Sequence, residues 1–436
     1  MGRLDPPIAP ASAVWLAALL SLAPFLLGFS QFKKLFFFGD SWDLLSQLAD
    51  VGFLRWTLLP YAENFVPLFK ILWGGAVLLF HGSYLALMQL LWLTHFVIIA
   101  TFGTILRRLG FGTYAVVISM LTCGLAWTSI EELAWSVQWA ALLATLFFLL
   151  AWRLLIHLIE ANKWTGLVAA EIGLYVLLLI ASALSFSRGV IGGWALALFV
   201  ILGHRSAILP GVRRSVLAVS CALPIILVTL VYVPLLFSTL RLPPPQSHYR
   251  EVLGFAAYTL FLNPLFDIVS LNVPLIGVSA TTAFGLLKAA IILGGFSRVQ
   301  RSRKQVAFFG ALLLFDVMSC ALLGVGRSNT GIAAAVGSRY QYVSLICLAP
   351  FLGVLVQPIL RGAATRLDKI AATTMLLAWG ALLTYRWPVA LEAFGRQRGT
   401  MIRRAIDEPD HLQDRFAFAF ANKSRAAQLK AKYNLH

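Results

Sequence analysis

The segment PLFKILWGGAVLLF, residues 67–80, is apolar but only 14 residues long, and His81-Gly82-Ser83 follows it at once. A helix needs about 20 apolar residues to cross a bilayer. This segment is therefore predicted to form a helix that lies at the membrane interface or re-enters the membrane. Whether it is counted as a span decides on which side of the membrane every later loop lies.

The composition of the whole chain is that of a helical membrane protein. Hydrophobic residues make up 60% of the chain, charged residues 12%, and the mean hydropathy is +0.83. A soluble domain has about 25% charged residues. About eleven transmembrane helices are predicted, at about 12–29, 84–106, 112–129, 133–152, 165–185, 190–203, 215–237, 278–297, 306–324, 341–360 and 370–386. The first apolar run is preceded by a single basic residue, Arg3, and is followed by no clear cleavage site. It is therefore predicted to be a retained signal-anchor helix.

When 67–80 is not counted as a span, most basic residues fall on one side of the membrane. That side holds, among others, Arg107, Arg108, Arg153, Arg213, Arg214, Arg298, Arg303, Lys304 and Arg361. By the positive-inside rule it is the cytoplasmic side, which places the N-terminus in the cytoplasm and the C-terminus outside. The net charge of +17 is spread over many short loops rather than one stripe, so nucleic acid is not a predicted partner.

The predicted organisation is an all-α, polytopic bundle with juxtamembrane helices on its outer face. Residues 1–387 form the transmembrane domain, with an outer first loop at 30–83 and an outer loop at 238–277 that contains a short helix at about 250–262. Residues 388–436 form a short polar tail, predicted to pack as a few helical turns on the outer face. No internal repeat is evident, which does not favour a transporter built from duplicated halves.

The first loop is unusually acidic for this chain. Only 18 residues of 436 are acidic, and four of them (Asp40, Asp43, Asp50 and Glu63) lie here. Within Gly39-Asp40-Ser41-Trp42-Asp43 the two aspartates share a helix face, so they could act in catalysis or bind a divalent cation. Glu63, before the short helix, is the third candidate. Helix capping by Asp40 and interaction of Glu63 with a helix N-terminus are the structural alternatives.

Three arginines lie on the outer side, where short loops otherwise hold few basic residues: Arg188, Arg327 and Arg339. A guanidinium group binds phosphate oxygens through two parallel hydrogen bonds, so a phosphate site is predicted, with Tyr340 beside it. Snorkelling to lipid headgroups is the alternative. Glu131-Glu132 lies on the same side, and Glu131 and Gln138 are candidate substrate-binding residues, although a solvated turn explains the two carboxylates equally well.

Lys288 and Asp316 lie in the middle of two predicted spans. A lone charge there costs about 3 kcal/mol or more, so the two are predicted to form a structural ion pair or to line a polar cavity. The four cysteines lie in apolar runs and are predicted to be buried thiols. The histidines show no metal-ligand spacing, and no Walker A, GxSxG or Rossmann motif is present.

The chain resembles the GT-C superfamily of membrane glycosyltransferases, which includes the protein O-mannosyltransferases and the lipid A aminoarabinose transferases. The resemblance rests on residues 39–43, 63–69 and the short run to Gly82. The later segments 131–138, 185–189, 326–327 and 338–340 look like those of bacterial polytopic proteins placed near this superfamily. The resemblance in topology covers about residues 1–390, whereas the matching motifs are short.

The resemblance implies transfer of a sugar, hexosyl or pentosyl, from a polyprenyl-phosphate donor at the outer face of a bacterial inner membrane. Asp40 would act as base towards the acceptor, with Asp43 as the fallback, and Arg327 and Arg339 would bind the donor phosphate. The acceptor, whether glycan, lipid or protein, stays open. No cofactor is certain, and a divalent cation at Asp40 and Asp43 is possible. An O-antigen polymerase or ligase and a non-enzymatic lipid or solute transporter are the alternatives.

Overall fold

The structure is a computed structural model that describes residues 9–61, 64–160, 166–203, 211–239, 245–269, 278–299, 302–361, 366–407 and 423–436. Within these residues the regular elements are helices, together with one isolated β-bridge between Tyr61 and Asn64. The candidate Glu63 lies outside the described residues.

The α-helices follow one another along the chain from the N-terminal segment to the C-terminal tail. They are α1 (Ala11–Leu20), α2 (Ala23–Leu27), α3 (Phe29–Phe32), α4 (Asp40–Val51), α5 (Phe53–Thr57), α6 (Pro67–Leu79), α7 (Tyr84–Arg108), α8 (Thr113–Leu125), α9 (Ile130–Ala134), α10 (Trp139–Glu160), α11 (Gly166–Ser185), α12 (Gly189–Gly203), α13 (Gly211–Thr239), α14 (Pro245–Leu262), α15 (Leu265–Val269), α16 (Val278–Val299), α17 (Arg303–Arg327), α18 (Gln341–Arg361), α19 (Arg366–Thr384), α20 (Trp387–Gly395), α21 (Met401–Asp407) and α22 (Lys423–Tyr433).

A polytopic helical bundle is confirmed, although fewer spans qualify by length and composition than predicted. Among the described residues, six helical segments are long and apolar enough to cross a membrane, or seven if α8 and the segment Trp127–Ala134, bent by 43°, form one span. The predicted count was about eleven. Three further predicted spans fall on shorter apolar segments, namely Ala11–Leu27, Gly189–Gly203 and Ser215–Val231. The last predicted span coincides with α19.

The short helix predicted at 67–80 is present as α6 and is too short to span. Pro67 occupies its first position, where the fixed φ of proline favours helix initiation. The helix ends because His81 and Gly82 adopt φ values of 48° and 76°, outside the helical range. Its 13 residues give a length of about 20 Å at about 1.5 Å per residue, against about 30 Å of hydrocarbon in a bilayer.

The predicted span at 133–152 begins six residues later than expected. Trp135 has an extended backbone (φ −118°, ψ 115°), which separates α9 from a 3-10 turn at Ser136–Gln138, and α10 begins only at Trp139. The segment between α8 and α10 is thus folded back at one end of the bundle. This arrangement brings Glu131, Glu132 and Gln138 to that end.

The C-terminal tail packs on the first loop. The main-chain N–H of Phe36 donates to the carbonyl of Arg398 at 3.3 Å, and Arg425 Nε donates to Ser46 Oγ at 3.1 Å. Gly399 approaches Lys34 so closely that a Cβ there would lie 1.8 Å from the Lys34 carbonyl oxygen. The tail therefore supports the segment that leads into α4.

Buried aromatic side chains also hold the first loop in place. Trp42 is fully buried among Phe36 and Phe37, and Phe37 contacts Trp73 and Tyr84 edge-on. Each such pair contributes about 0.5–1.5 kcal/mol beyond the area it buries. The first turn of α4 is consequently held between a buried aromatic cluster and the C-terminal tail.

Candidate active site

One cavity joins five segments that are far apart in sequence. Its polar lining comes from the first loop, the α9–α10 connection, the α11–α12 turn, the end of α17 and the turn before α18. These residues are Asp40, Tyr61, Asn64, Gln138, Ser187, Arg188, Arg327, Arg339 and Tyr340. The apolar lining includes Val66, Trp135, Val137, Ala140, Ala141, Phe186, Leu322, Leu323 and Val325. The cavity therefore has a charged part and an apolar part, as a site for an amphiphile requires.

Six of the predicted site residues meet in this cavity: Asp40, Gln138, Arg188, Arg327, Arg339 and Tyr340. Asp43 and Glu131 are not in its lining. Sequence patterns alone placed the three arginines on one side of the membrane, and the structure brings them around the same space as Asp40.

Asp40 is the first residue of α4 and not its N-cap, which corrects the capping alternative. The N-cap is Gly39, whose φ of +52° favours glycine, and a Cβ there would lie 3.2 Å from the Trp135 ring. The Asp40 carboxylate lies near the positive end of the helix dipole and beside Tyr61. Burial, and then the neighbouring charge of Asp40, raise the pKa of Tyr61 well above its usual range, so the Tyr61 hydroxyl stays protonated.

Asp43 lies one turn further along α4 and has a different environment. Its Oδ2 accepts a hydrogen bond from Gln47 Nε2 at 3.0 Å. Burial, and then the charge of Asp40, raise the pKa of Asp43 above its usual value. Within the described residues no three histidine, cysteine or carboxylate side chains come together as a metal site. Among these residues, no third side chain of these types joins Asp40 and Asp43.

Arg188 lies in the turn between α11 and α12 and is only 4% exposed. Its nearest carboxylate is Glu132, with 3.8 Å between Nη1 and Oε1, too long for a hydrogen bond. Among the residues that the structure describes, Nε and Nη1 of Arg188 find no hydrogen-bond acceptor. Its guanidinium carbon lies 5.9 Å from the ring centroids of Phe186 and Tyr340. A buried cation with unused donors can bind an anion in the cavity.

Glu131 and Glu132 hold the segment that carries Arg339, rather than forming a solvated turn. Glu131 Oε2 accepts from the main-chain N–H of Arg339 at 3.3 Å, and Glu132 Oε2 accepts from that of Tyr342 at 3.1 Å. Glu132 is fully buried. Carboxylates at the start of α18 also interact favourably with its dipole. Glu131, a predicted substrate-binding residue, has a main-chain partner and lies outside the lining of the cavity.

Lys288 and Asp316 lie together in the bundle interior. Lys288 Nζ donates to Asp316 Oδ2 at 2.6 Å and to the carbonyls of Leu260 and Asn263 at 2.7 and 3.0 Å. The other oxygen, Asp316 Oδ1, accepts from Ser344 Oγ at 2.8 Å. All three donors of the ammonium group are used, which is the geometry of a structural ion pair.

Sequence reasoning missed a polar network next to this pair. Gln341 Nε2 donates to Asn263 Oδ1 at 2.7 Å and to Asp267 Oδ2 at 2.8 Å, and Asn263 Nδ2 donates to the carbonyl of Ala335 at 3.1 Å. Tyr61 and Glu132 were missed as well. The only sequence signal for Glu132 was its position beside Glu131. For Gln341 the only signal was its position directly after Tyr340.

Comparison with known proteins gives a fold but no family. No protein-family model and no curated protein matches the chain. The crystal structure of the apo oligosaccharyltransferase of Archaeoglobus fulgidus is similar, with a TM-score of 0.54, 13% identity, and 98% of this chain and 59% of that chain covered. For its complex with an inhibitory peptide and a dolichol-phosphate the TM-score is 0.51 and the identity 14%, with 98% of this chain and 59% of that chain covered. For its complex with Zn and sulfate the TM-score is 0.53 and the identity 13%, with 97% of this chain and 57% of that chain covered.

This chain thus spans about three fifths of the length of those structures. The predicted GT-C-like helical fold is confirmed by this similarity.

Proposed function

We propose that this protein is a GT-C-type glycosyltransferase that moves a sugar from a polyprenyl-phosphate donor to an acceptor outside the cytoplasm. The observation that carries the proposal is that Asp40 and the three arginines 188, 327 and 339 line one cavity. Transfer of a sugar from a lipid phosphate needs a base at the acceptor and positive charge at the departing phosphate. The cavity supplies both, on a fold shared with oligosaccharyltransferases.

In the proposed reaction, Asp40 accepts the proton of the acceptor hydroxyl as its oxygen bonds to the anomeric carbon of the sugar. The bond from that carbon to the phosphate oxygen breaks, and the phosphate leaves with the electron pair. Arg188, Arg327 and Arg339 stabilise the charge that develops on the phosphate. Tyr61, whose hydroxyl stays protonated, lines the same cavity beside Asp40, where it can donate a hydrogen bond to a group bound there.

The apolar part of the cavity suits the first isoprene units of a lipid carrier. Val137, Ala141, Leu322 and Leu323 line it next to the arginines, so a phosphate at the arginines would place its lipid chain against these side chains. The dolichol-phosphate bound in the similar oligosaccharyltransferase supports a donor of this class. The sugar, hexosyl or pentosyl, and the acceptor are not specified by this argument.

The membrane side follows from the charge pattern. We propose that the cavity opens at the outer face of a bacterial inner membrane, with the N-terminus cytoplasmic and the C-terminus periplasmic. In this proposal residues 1–387 form the transmembrane enzyme domain and 388–436 the tail on its outer face. Labelling single cysteines introduced at Lys33 and at Arg153 with a membrane-impermeant reagent in intact cells tests this, and only the first should react.

The catalytic proposal predicts a contrast between two aspartates on one helix. Asp40→Asn should lower kcat for transfer from a polyprenyl-phosphate sugar on the order of 10²–10⁴-fold, because the base is lost while the shape is kept. Asp43→Asn is the matched control and should change kcat less than about threefold, because Asp43 does not line the cavity. Equal activity in wild type and Asp40→Asn would exclude Asp40 as the base.

A further inference from the structure

Arg188 and Glu132 form an unusual buried pair. Arg188 is 4% exposed and Glu132 is fully buried, yet the closest nitrogen and oxygen are 3.8 Å apart. Among the described residues, Nε and Nη1 of Arg188 and Oε1 of Glu132 make no hydrogen bond. The Arg188 guanidinium and the Glu132 carboxyl group therefore face each other beside the cavity without closing a hydrogen bond.

A pair whose purpose is to hold helices together closes its hydrogen bonds, because an unmade buried hydrogen bond is destabilising. Lys288 and Asp316 do so at 2.6 Å in the same bundle. The Glu132 carboxylate is tied elsewhere, since its Oε2 accepts from the Tyr342 main-chain N–H at 3.1 Å. Arg188 is thereby kept near a carboxylate but free to direct its donors into the cavity.

We propose that Glu132 is the counter-ion of Arg188 when no anion is bound, and that it lowers the affinity of the cavity for phosphate. The inference rests on the proposed function for the identity of the anion, a polyprenyl phosphate. In a region of low dielectric the carboxylate attracts the guanidinium strongly, so a phosphate that binds Arg188 has to replace part of this interaction. It also has to compete for a cation whose charge is already partly compensated.

This arrangement has a consequence for turnover. The reaction leaves a lipid phosphate on three arginines, and a site that binds this product too tightly would be inhibited by it. Glu132 restores charge balance at Arg188 as the phosphate departs, so it promotes release. Glu132 acts through Arg188 and is a positioning residue, not one that touches the reacting atoms.

The test is the affinity of the purified full-length protein, in detergent, for a fluorescent short-chain polyprenyl monophosphate. Glu132→Gln keeps an oxygen that can accept from the Tyr342 N–H, and it should bind the probe about tenfold more tightly than wild type. A residue that served only the structure would give weaker binding when replaced. Glu160→Gln removes a carboxylate from an exposed pair with Lys304 and should bind as wild type does.

Unchanged or weaker binding by Glu132→Gln would overturn the counter-ion role. Arg188→Gln separates this from the proposed function, because wild-type affinity in that variant would show that the cavity does not bind phosphate through Arg188. The double variant Arg188→Gln/Glu132→Gln should equal Arg188→Gln, since Glu132 acts through Arg188 alone. A difference in affinity between these two variants would contradict the proposal.

Discussion

Two buried cations in this bundle, Lys288 and Arg188, are alike in exposure, at 3% and 4%, but differ in what their nitrogens contact. Lys288 Nζ has three oxygen partners within 3.0 Å. Arg188 stays 3.8 Å from its nearest carboxylate and keeps two nitrogens without a hydrogen bond to any described residue. Burial and charge are the same, so only the completeness of the hydrogen bonding separates a structural cation from one that can take a ligand.

The surroundings of the two cations agree with this difference. Lys288 joins α16 to the end of α14 and, through Asp316, to α17, so it ties three helices together. Arg188 lies in the turn between α11 and α12, in the lining of the cavity that also holds Asp40. A charged side chain with unused donors is tolerated at a helix end that borders a cavity, as at Arg188. In the middle of a membrane span, as at Lys288, such a side chain would be costly.

The largest expected effect is on stability, at Lys288. Lys288→Met leaves Asp316 buried without its cation and should lower the free energy of unfolding by about 3–5 kcal/mol. The double variant Lys288→Met/Asp316→Leu should recover most of that loss, because neither charge is then left alone. Unfolding in mixed micelles followed by circular dichroism measures both. A single variant as stable as wild type would show that the pair does not hold the helices.

The next effect is on activity, at Arg188. Arg188→Lys keeps the positive charge near Glu132 but loses the planar fork of donors, so kcat/KM should fall on the order of tenfold to a hundredfold. Its unfolding free energy should fall by less than that of Lys288→Met, because the positive charge beside Glu132 is kept. Transfer assays and unfolding on the same preparation separate the two properties. A variant that lost stability but kept kcat/KM would show that Arg188, like Lys288, has a structural role, and the proposed difference between the two cations would be wrong.

Much of the fold was predictable from local patterns. The short helix at 67–80 was found from its length, Pro67 and His81-Gly82-Ser83, and the predicted helix at 278–297 matches α16 (Val278–Val299). The start of α10 was not predictable, because the break at Trp135 depends on packing against Phe38 and Gly39, nearly one hundred residues earlier. The tail's position on the first loop likewise depends on contacts between distant segments, such as Arg398 with Phe36.

For the site, the sequence indicated which residues would share a membrane face but not their partners. Arg188, Arg327 and Arg339 stood out because they oppose the positive-inside bias. The partner of Glu132, the main chain of Tyr342, is 210 residues away, and that of Gln341, Asp267, is 74 residues away. Hydrogen bonds of this range follow from helix packing, which local sequence patterns do not encode.

Asp267 is a partly buried carboxyl group that joins the two regions through Gln341. Gln341 Nε2 donates to Asp267 Oδ2 and to Asn263 Oδ1, and the main-chain oxygen of Asn263 accepts from Lys288. Gln341 itself directly follows the turn that carries Arg339. Burial raises the pKa of Asp267 to about 7, while the charge of Arg386 opposes the rise and that of Glu131 adds to it. The carboxyl group therefore changes its protonation near neutral pH.

The smallest expected effect is the pH dependence that this group confers. Because the pKa of Asp267 is raised in the folded state, the folded protein holds the proton over a range where the unfolded chain has lost it. The resulting stability is present at low pH and lost as the pH rises through about 7, a fall of about 1.4 kcal/mol between about pH 6 and 8. Asp267→Asn keeps an oxygen acceptor for Gln341 and cannot ionise, so its unfolding free energy should lack this fall.

Asp50→Asn, at an exposed carboxylate paired with Arg425, is the control and should keep the wild-type pH dependence. Unfolding midpoints at about pH 6, 7 and 8 measure all three proteins. If Asp267→Asn and wild type lose stability in parallel, Asp267 does not titrate in this range. The comparison between the hydrogen-bonded interior and the end of the bundle that faces the cavity would then rest on Arg188 and Glu132 alone.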